Sequence, residues 1–378
     1  KTVSSIYDNP VINKSIKEQI MEQKELDIKL GTYDTVTKCR CCNNTNLTKI
    51  WELKKAPLAG GFLKDIKDII HERHYPLTLL YCDNCYSAFV KEIIKEDKLF
   101  TNINNNGYFY YSSQIPTLVE HFKNLYNYVK TNYNINNKKI MEIGCNDGVF
   151  LNNFSKEDKL QYLIGIDPSE TIQKITDPNI IKINDFFNSK NTLQIIKEYG
   201  KMDYVVACNC LAHIDDINDI FKNLKLILND DGIIVMEVHY VKNICESMNF
   251  DFIYHEHMSY YSINGIYNIC KNNNLYLDNI EHISNHGGSI RITIKNKKDH
   301  SNIYNNPGLT TTLHQEDITR YMETFLDRIN NWKIEILSIL NDVYKKEKIL
   351  SGYGASGRTN ILLTVMQQKF DFIFDDSK

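Results

Sequence analysis

Short apolar runs alternating with amphipathic stretches organise the middle of the chain. Residues 139–143, 163–167, 180–183, 204–207 and 233–238 are largely apolar, as strands covered on both faces are. Between them, helical spacing predicts helices over 149–154 and 216–228, with Asp230-Asp231-Gly232 as the turn into the last strand. Strands alternating with helices define a parallel sheet, with ligands at the carboxyl ends of its strands. After a helix over 263–273, residues 275–280 and 289–294 alternate apolar and polar. That is the pattern of an antiparallel hairpin closing the sheet, with a turn at His286-Gly287-Gly288.

The flanks read differently. Residues 1–35 are polar and weakly periodic, with a short helix predicted over 13–29. Trp51, Leu53, Leu58, Phe62 and Leu79 suit a small sheet, and a helix is predicted over 116–133. The chain turns polar over 295–312, where Asn305-Asn306-Pro307-Gly308 marks a turn, before one long helix over 316–346. A strand, a glycine-rich turn and a helix follow at 349–358, then a last strand at 370–376. The expected fold class is α/β, divided into an N-terminal extension (1–37), a cysteine-bearing module (38–98), a central sheet domain (99–300) and a C-terminal domain (301–378). The last is read as incomplete, because it stops on a strand.

Composition then narrows the function. The 378 residues are 42% hydrophobic and 24% charged with a formal charge of -3, as in a soluble globular protein. A nucleic-acid binder needs a basic face, which this balance does not favour. No apolar run approaches the roughly 20 residues of a membrane span, and no secretory signal opens the chain. Its first residue is Lys rather than Met, read as a trimmed start. Ten cysteines without such a signal imply a reducing, cytoplasmic setting. We expect a monomer with neither nucleic-acid nor membrane partner.

Four of those cysteines form two C-x-x-C pairs, Cys39/Cys42 and Cys82/Cys85. Each pair can put two thiolates on one ion, and two pairs complete a tetrahedral zinc site with no open position, hence structural. Cys41 is an alternative to Cys39, although the spacing favours Cys39 with Cys42. Further on, Glu142-Ile143-Gly144-Cys145-Asn146-Asp147-Gly148 carries a strand into a turn whose glycines let backbone approach a ligand. The spacing is not the G-x-G-x-x-G of dinucleotide sites. Asp167, ending the next strand, can hold both hydroxyls of a ribose. E-x-G-x-x-x-G followed by such an acid is the pattern of S-adenosylmethionine (SAM) binding. It assigns Glu142, Gly144, Asn146, Gly148 and Asp167 to the cofactor, with Asp185 and Phe186 at the adenine and Asn209 beyond the 204–207 strand.

Three further runs carry candidate chemistry. Tyr108-Phe109-Tyr110-Tyr111-Ser112-Ser113 either lines a pocket at the mouth of a helix or packs as a linker. At Gly352-Tyr353-Gly354-Ala355-Ser356-Gly357-Arg358, helix-start N–H groups and Arg358 suit a phosphate, unless the run is a bare tight turn. The densest is 251–261, Asp-Phe-Ile-Tyr-His-Glu-His-Met-Ser-Tyr-Tyr. If extended, Tyr254 and Glu256 share one side and His255 and His257 the other. Such a run can pack a general base with its orienting partners, or be a polar loop with satisfied histidines. His213, just past a strand end, is catalytic or structural. A metal at His255/Glu256/His257 lacks the H-E-x-x-H spacing.

Together these motifs resemble the SAM-dependent sugar C-methyltransferases that act on nucleotide-linked 4-keto-deoxysugars. The resemblance spans about 38–376. It is carried by Cys39-Arg40-x-Cys42, Cys82-x-x-Cys85, the Tyr108–Ser113 run, Glu142 to Gly148, Tyr254-His255-Glu256-His257, His286-Gly287-Gly288-Ser289 and Gly352-Tyr353-Gly354-Ala355-Ser356. It implies a Rossmann-like SAM sheet flanked by a zinc-binding module and a C-terminal Rossmann-like domain, with a nucleotide-diphosphate sugar between domains. It implies His257 as base beside Tyr254 and Glu256, with His213, Tyr108 and Tyr110 facing the sugar. Tyr111, Ser112, His255, Tyr353 and Arg358 would contact substrate. The implied cofactors are SAM and structural Zn2+, and the implied reaction is C3' methylation through base-catalysed enolate formation and in-line transfer. The family usually continues past the final Asp-Asp, and carries an Ala-Lys-Gly-Asn type run where this chain has Gly357-Arg358-Thr359-Asn360. O- or N-methylation of a sugar or small metabolite is a second reading. A third is a zinc-stabilised binding protein without turnover, against which the intact Glu142, Gly144, Asp167 and 254–257 run speak.

Overall fold

The computed structural model describes residues 2–4, 31–61, 72–95, 99, 110–296, 313, 316–346, 349–367 and 370–375. Its strands are, in chain order, β1 (Thr2–Ser4), β2 (Asp34–Thr35), β3 (Leu47–Pro57), β4 (His74–Cys82), β5 (Ala88–Val90) and β6 (Glu92–Ile93). The middle of the chain gives β7 (Lys139–Ile143), β8 (Tyr162–Ile166), β9 (Ile180–Ile183), β10 (Met202–Cys208), β11 (Leu228–His239) and β12 (Ser259–Tyr260). The last are β13 (Tyr276–Ile283), β14 (Ser289–Lys295), β15 (Ser351–Tyr353) and β16 (Phe372–Phe374). The helices used below are α1 (Pro116–Asn132), α2 (Ser189–Tyr199), α3 (Ile217–Ile227), α4 (Val241–Glu246), α5 (Ile263–Asn272), α6 (Thr319–Glu323), α7 (Phe325–Lys345) and α8 (Gly357–Met366).

The central sheet has seven strands in the order β13-β14-β11-β10-β7-β8-β9. From β11 to β9 the strands are parallel, and the β13–β14 hairpin adds antiparallel to β11, as the alternation predicts. Successive strand residues face opposite ways. Met141, Ile143, Ile164, Val205 and Met236 therefore pack with Ile195, Phe221, Leu224 and Ile266 of α2, α3 and α5. Ile140, Leu163, Val206 and Val235 pack with Leu118, Phe122, Leu125 and Val129 of α1. The strands thus lie between two helical layers.

A second sheet, β12-β5-β4-β3, belongs to the cysteine-bearing part, but β12 comes from the 251–261 run. The 251–261 run therefore supplies an edge strand to the sheet of the cysteine-bearing part. At the far end β15 and β16 pair in parallel, with β1 antiparallel on β16.

Several sequence expectations are corrected. Residues 149–154 hold only a 3-10 turn at Leu151–Asn153. The Asn153 side chain takes the Val149 and Phe150 carbonyls, competing with an α-helical ladder. The long helix breaks at Thr324 into α6 and α7. It also starts later than expected, because the Glu316 carboxylate caps α5 by accepting from the Ile263 and Asn264 N–H groups. Asp230-Asp231-Gly232 lies within β11, where pairing with β10 skips from Leu228 to Ile233. The helix predicted over 13–29, Phe62, Tyr108 and Phe109, and the turn at 305–308 lie outside the described residues.

Candidate active site and cysteine centre

Each C-x-x-C pair closes in the same way. Asn43 N–H donates to Cys39 O and Tyr86 N–H to Cys82 O, and both donors sit at positive φ (61° and 64°). The two turns bring Cys39 Sγ 3.5 Å from Cys85 Sγ and Cys42 Sγ 3.6 Å from Cys82 Sγ, all four within 4.8 Å of one another. A tetrahedral ion with bonds of about 2.3 Å sets sulfurs about 3.8 Å apart, so the donor set fits one Zn2+. The Asn84 amide points a donor at Cys42 Sγ. Cys41 is not in the cluster and lies against Gly265 of α5.

Between the knuckle cysteines, Arg40 reaches into the rest of the molecule. Its guanidinium bonds Asp215 at 2.7 Å and donates to the carbonyls of Val90 and Met258, while its own carbonyl accepts from Asn218.

At the carboxyl end of β7 the glycine loop forms a cradle. Gly144 and Gly148 have φ of 70° and 79°, and a Cβ on Gly144 would come within 2.5 Å of the Cys210 side chain. Asn146 N–H donates to Asp167, whose carboxylate also holds Ser169. Burial pushes the Asp167 carboxyl up, and Glu142 still further, with Asp167 the next contributor. Glu142 Oε2 and Asn209 Oδ1, at the ends of neighbouring β7 and β10, are buried and lack a partner among the described residues. Two unpaired acceptors beside a glycine cradle fit a ligand that brings donors, such as the amino and hydroxyl groups of SAM. The backbone of Tyr110, Ser112 and Ser113 is pinned over this loop by Asn146 and Asp147. Asp185 turns its carboxylate to the Phe186 N–H instead; it lies below the ordinary value through its bond to Asn191.

The 251–258 segment is a turn rather than the extended chain considered above. His257 N–H closes on Tyr254 O, so residues three apart meet, and their rings stack at 4.0 Å. His257 Nδ1 faces the Phe252 carbonyl at 3.1 Å and must donate to it, leaving Nε2 to accept from the Tyr254 hydroxyl at 2.8 Å. His213 Nδ1 likewise donates to Glu256 O at 2.6 Å. The His213 and His257 rings are 4.9 Å apart, so the 3-10 turn after β10 (Leu211–His213) and the 254–258 turn converge on one cluster of rings. Burial lowers His213 to about 4 and His257 well below its usual value.

Two assignments go elsewhere. His255 turns away from these rings, bonding Pro76 O of β4 and packing on Tyr75. Arg358 is paired with Asp251 and lies over Phe252. In the glycine-rich turn, Gly354 and Ala355 donate to Phe374 and Asp375 of the β16 strand end, and Tyr353 is 74% exposed. Glu256 Oε1 accepts from Gly60, and the same Ala59–Gly60 turn touches Gly357 of α8. The three parts of the chain meet there.

Sequence reasoning missed His121, Glu237, His239 and Arg291, and gave His286 no role. Glu237 is buried at the end of β11, bonded to His121 Nε2 at 2.6 Å and to Arg291 at 2.7 Å. Burial pushes its carboxyl up, but the bonds to His121 and Arg291 outweigh it and hold it below the ordinary value. Arg291→Ala is expected to cost about 3–5 kcal/mol of stability by leaving a buried charge under-paired. Urea denaturation checks this, and a loss under about 1 kcal/mol would show that His121 suffices.

Fold and cradle together define a SAM-dependent methyltransferase. Comparisons with known proteins agree. Family models match in succession: "Putative zinc binding domain" over 39–100, "Methyltransferase domain" over 111–280 and "C-methyltransferase C-terminal domain" over 284–378. The three matches follow one another over most of the chain. It is 25% identical over 337 residues to the C-methyltransferase NovU of Streptomyces niveus, covering 87% of this chain and 78% of the relative. It is 26% identical over 123 residues to a tRNA U34 carboxymethyltransferase of Sulfurimonas denitrificans, covering 31% of this chain and 40% of that one. Among solved structures, magnesium protoporphyrin IX methyltransferase (ChlM) from Synechocystis with bound SAM aligns at a TM-score of 0.36 and 11% identity, over 48% of this chain and 79% of that one. Among the described residues no helix is long and apolar enough to cross a membrane.

Proposed function

We propose that this chain methylates carbon, at the position beside the keto group of a nucleotide-linked 4-keto-deoxysugar, C3', and that its four clustered cysteines hold one structural Zn2+. The observation that carries the reading is the hydrogen-bonded pair of half-buried Tyr254 and buried His257, on a turn tied by Met258 N–H to Ala212 O beyond the end of β10. The family domain and the NovU relative, both described as C-methyltransferases, support carbon as the acceptor.

A keto group acidifies the hydrogen on the neighbouring carbon. Removing it requires a neutral base in reach, and His257, held neutral by burial, supplies the lone pair. Because the Tyr254 hydroxyl lies on Nε2, the carbon's proton passes to the pair and ends on His257. When bound, SAM supplies the methyl group on an electron-poor sulfonium. Glu142, Asn209, Asp167 and the glycine loop would hold it, and Tyr110 to Ser113 would cover it from the α1 side. Tyr108 faces the sugar by the resemblance alone. The first turn of α8, beside the Ala59–Gly60 turn, is where we expect the nucleotide to lie, with the sugar reaching toward Tyr254.

Incubation with SAM and a panel of dTDP-, UDP- and GDP-linked 4-keto-6-deoxyhexoses in deuterated water tests the proposal. We expect deuterium at C3' without SAM, and a C3'-methylated product with it, located by fragmentation in mass spectrometry. A methyl group on oxygen or nitrogen, with no deuterium uptake, would overturn it.

A further inference from the structure

We propose that His239 is a catalytic residue of this site, donating a ring N–H to the substrate oxygen that gains negative charge as its neighbouring carbon is deprotonated. The inference rests on the function proposed above. In that step the C–H bond breaks and the proton goes to Tyr254 and His257. The electron pair forms a C=C bond, and the carbonyl C=O becomes C–O⁻. A base kept weak by burial leaves much of the barrier to whatever donates to that oxygen.

The other buried imidazoles cannot serve while neutral. A carbonyl only accepts, so His213, His255 and His257, which face the carbonyls of Glu256, Pro76 and Phe252, each present their one N–H there. What remains on each ring is a lone pair. His239 differs. It is 2% exposed, and neither Nδ1 nor Nε2 has a partner among the described residues.

Position and surroundings agree with the assignment. His239 ends β11 opposite Ser289 of β14, with its ring 4.7 Å from His257 and 5.5 Å from His286. Base and donor are therefore adjacent, as a C–H and its neighbouring C=O require. The charged and titratable groups around it, His257, His213, His286 and Arg358, are all cation formers. Glu237, two residues back, is tied to His121 and Arg291. Burial, helped by those neighbours, lowers the ring to about 3, so it keeps one N–H and one lone pair at neutral pH. The Phe252, His257 and His286 rings pack around it, and entry of the substrate must part them. An unpaired buried polar group is costly in the free protein, and the proposed role pairs it as charge develops.

The test compares His239→Leu, which fills the space without a donor, with His239→Gln, which keeps one. It uses whichever nucleotide-linked 4-keto sugar the wild type turns over. We expect His239→Leu to lower kcat and C3' deuterium uptake together, by roughly 10²- to 10³-fold, the usual loss of one oxyanion donor. KM should stay within about threefold, because the contact strengthens only in the transition state. His239→Gln should recover part of the rate, and the Tm of His239→Leu should be no lower than wild type. Turnover or deuterium uptake within about threefold of wild type, or a Tm lowered by more than about 5 °C, would overturn the assignment. If the wild type acts on no keto sugar, the proposed function fails and this inference with it. An active wild type with an equally active His239→Leu removes only His239.

Discussion

His257→Asn should lower kcat by roughly 10²- to 10⁴-fold, the range for loss of a general base, with SAM affinity by calorimetry nearly unchanged. Asn keeps a donor for the Phe252 carbonyl that His257 Nδ1 now holds, so the turn should survive. Tyr254→Phe is the companion. If Tyr254 relays the proton, its loss should approach that of His257→Asn, and the two changes together should cost little more than either, since residues acting as a unit are not additive. The pH profile gives an independent reading. An ordinary histidine base loses activity as pH falls through about 6.5. Burial, with His239 and His213 nearby, holds His257 well below that value. The base therefore stays deprotonated as pH falls, and the acid limb of kcat/KM should lie well below 6.5. Near-normal turnover in His257→Asn would remove the residue from the mechanism, and an acid limb centred on 6.5 would show that substrate binding exposes the ring.

What the sequence made legible was local. Gly144, Gly148 and the two C-x-x-C pairs work within a few residues of themselves, so spacing alone announces them. The alternating hairpin of β13 and β14 was equally readable, because half-buried strands advertise their period. The 254–257 turn was not, since four residues do not determine whether they extend or close. Only its closed form sets Tyr254 on His257 and sends His255 to Pro76. Glu237 and His239 were hidden for another reason. They sit inside an apolar strand run, where a lone polar residue is no signal. Their partners come from strand register and distant helices: Glu237 lies opposite Arg291 and beside His121 of α1, more than a hundred residues away. The glycine-rich turn at 352–357 shows the limit of spacing from the other side. Its N–H groups look available on paper, but folding gives two of them to the end of β16.

Cys85→Ser, or chelation of the metal, should abolish methyl transfer while changing SAM affinity much less. A structural zinc site contributes about 10–16 kcal/mol in small zinc domains, comparable to the whole stability of a typical domain, about 5–15 kcal/mol. A module held by two knuckles and a small sheet should not survive its loss. The consequence for chemistry follows from what the module holds. Gly60 orients Glu256, Pro76 holds His255, β5 pairs with β12 just past His257, and Arg40 ties the Met258 carbonyl to Asp215. Every one of these contacts fixes the 254–258 turn or the loop after His213. The SAM cradle draws instead on β7, β8, β10 and the 110–113 backbone, none of which belongs to the module. Metal content by atomic absorption, SAM binding by calorimetry and turnover should therefore separate, with zinc and turnover lost together and SAM binding retained. A metal-free Cys85→Ser protein with turnover within about threefold of wild type would mean that the turn is positioned without the module, which the Arg40 and Gly60 contacts argue against.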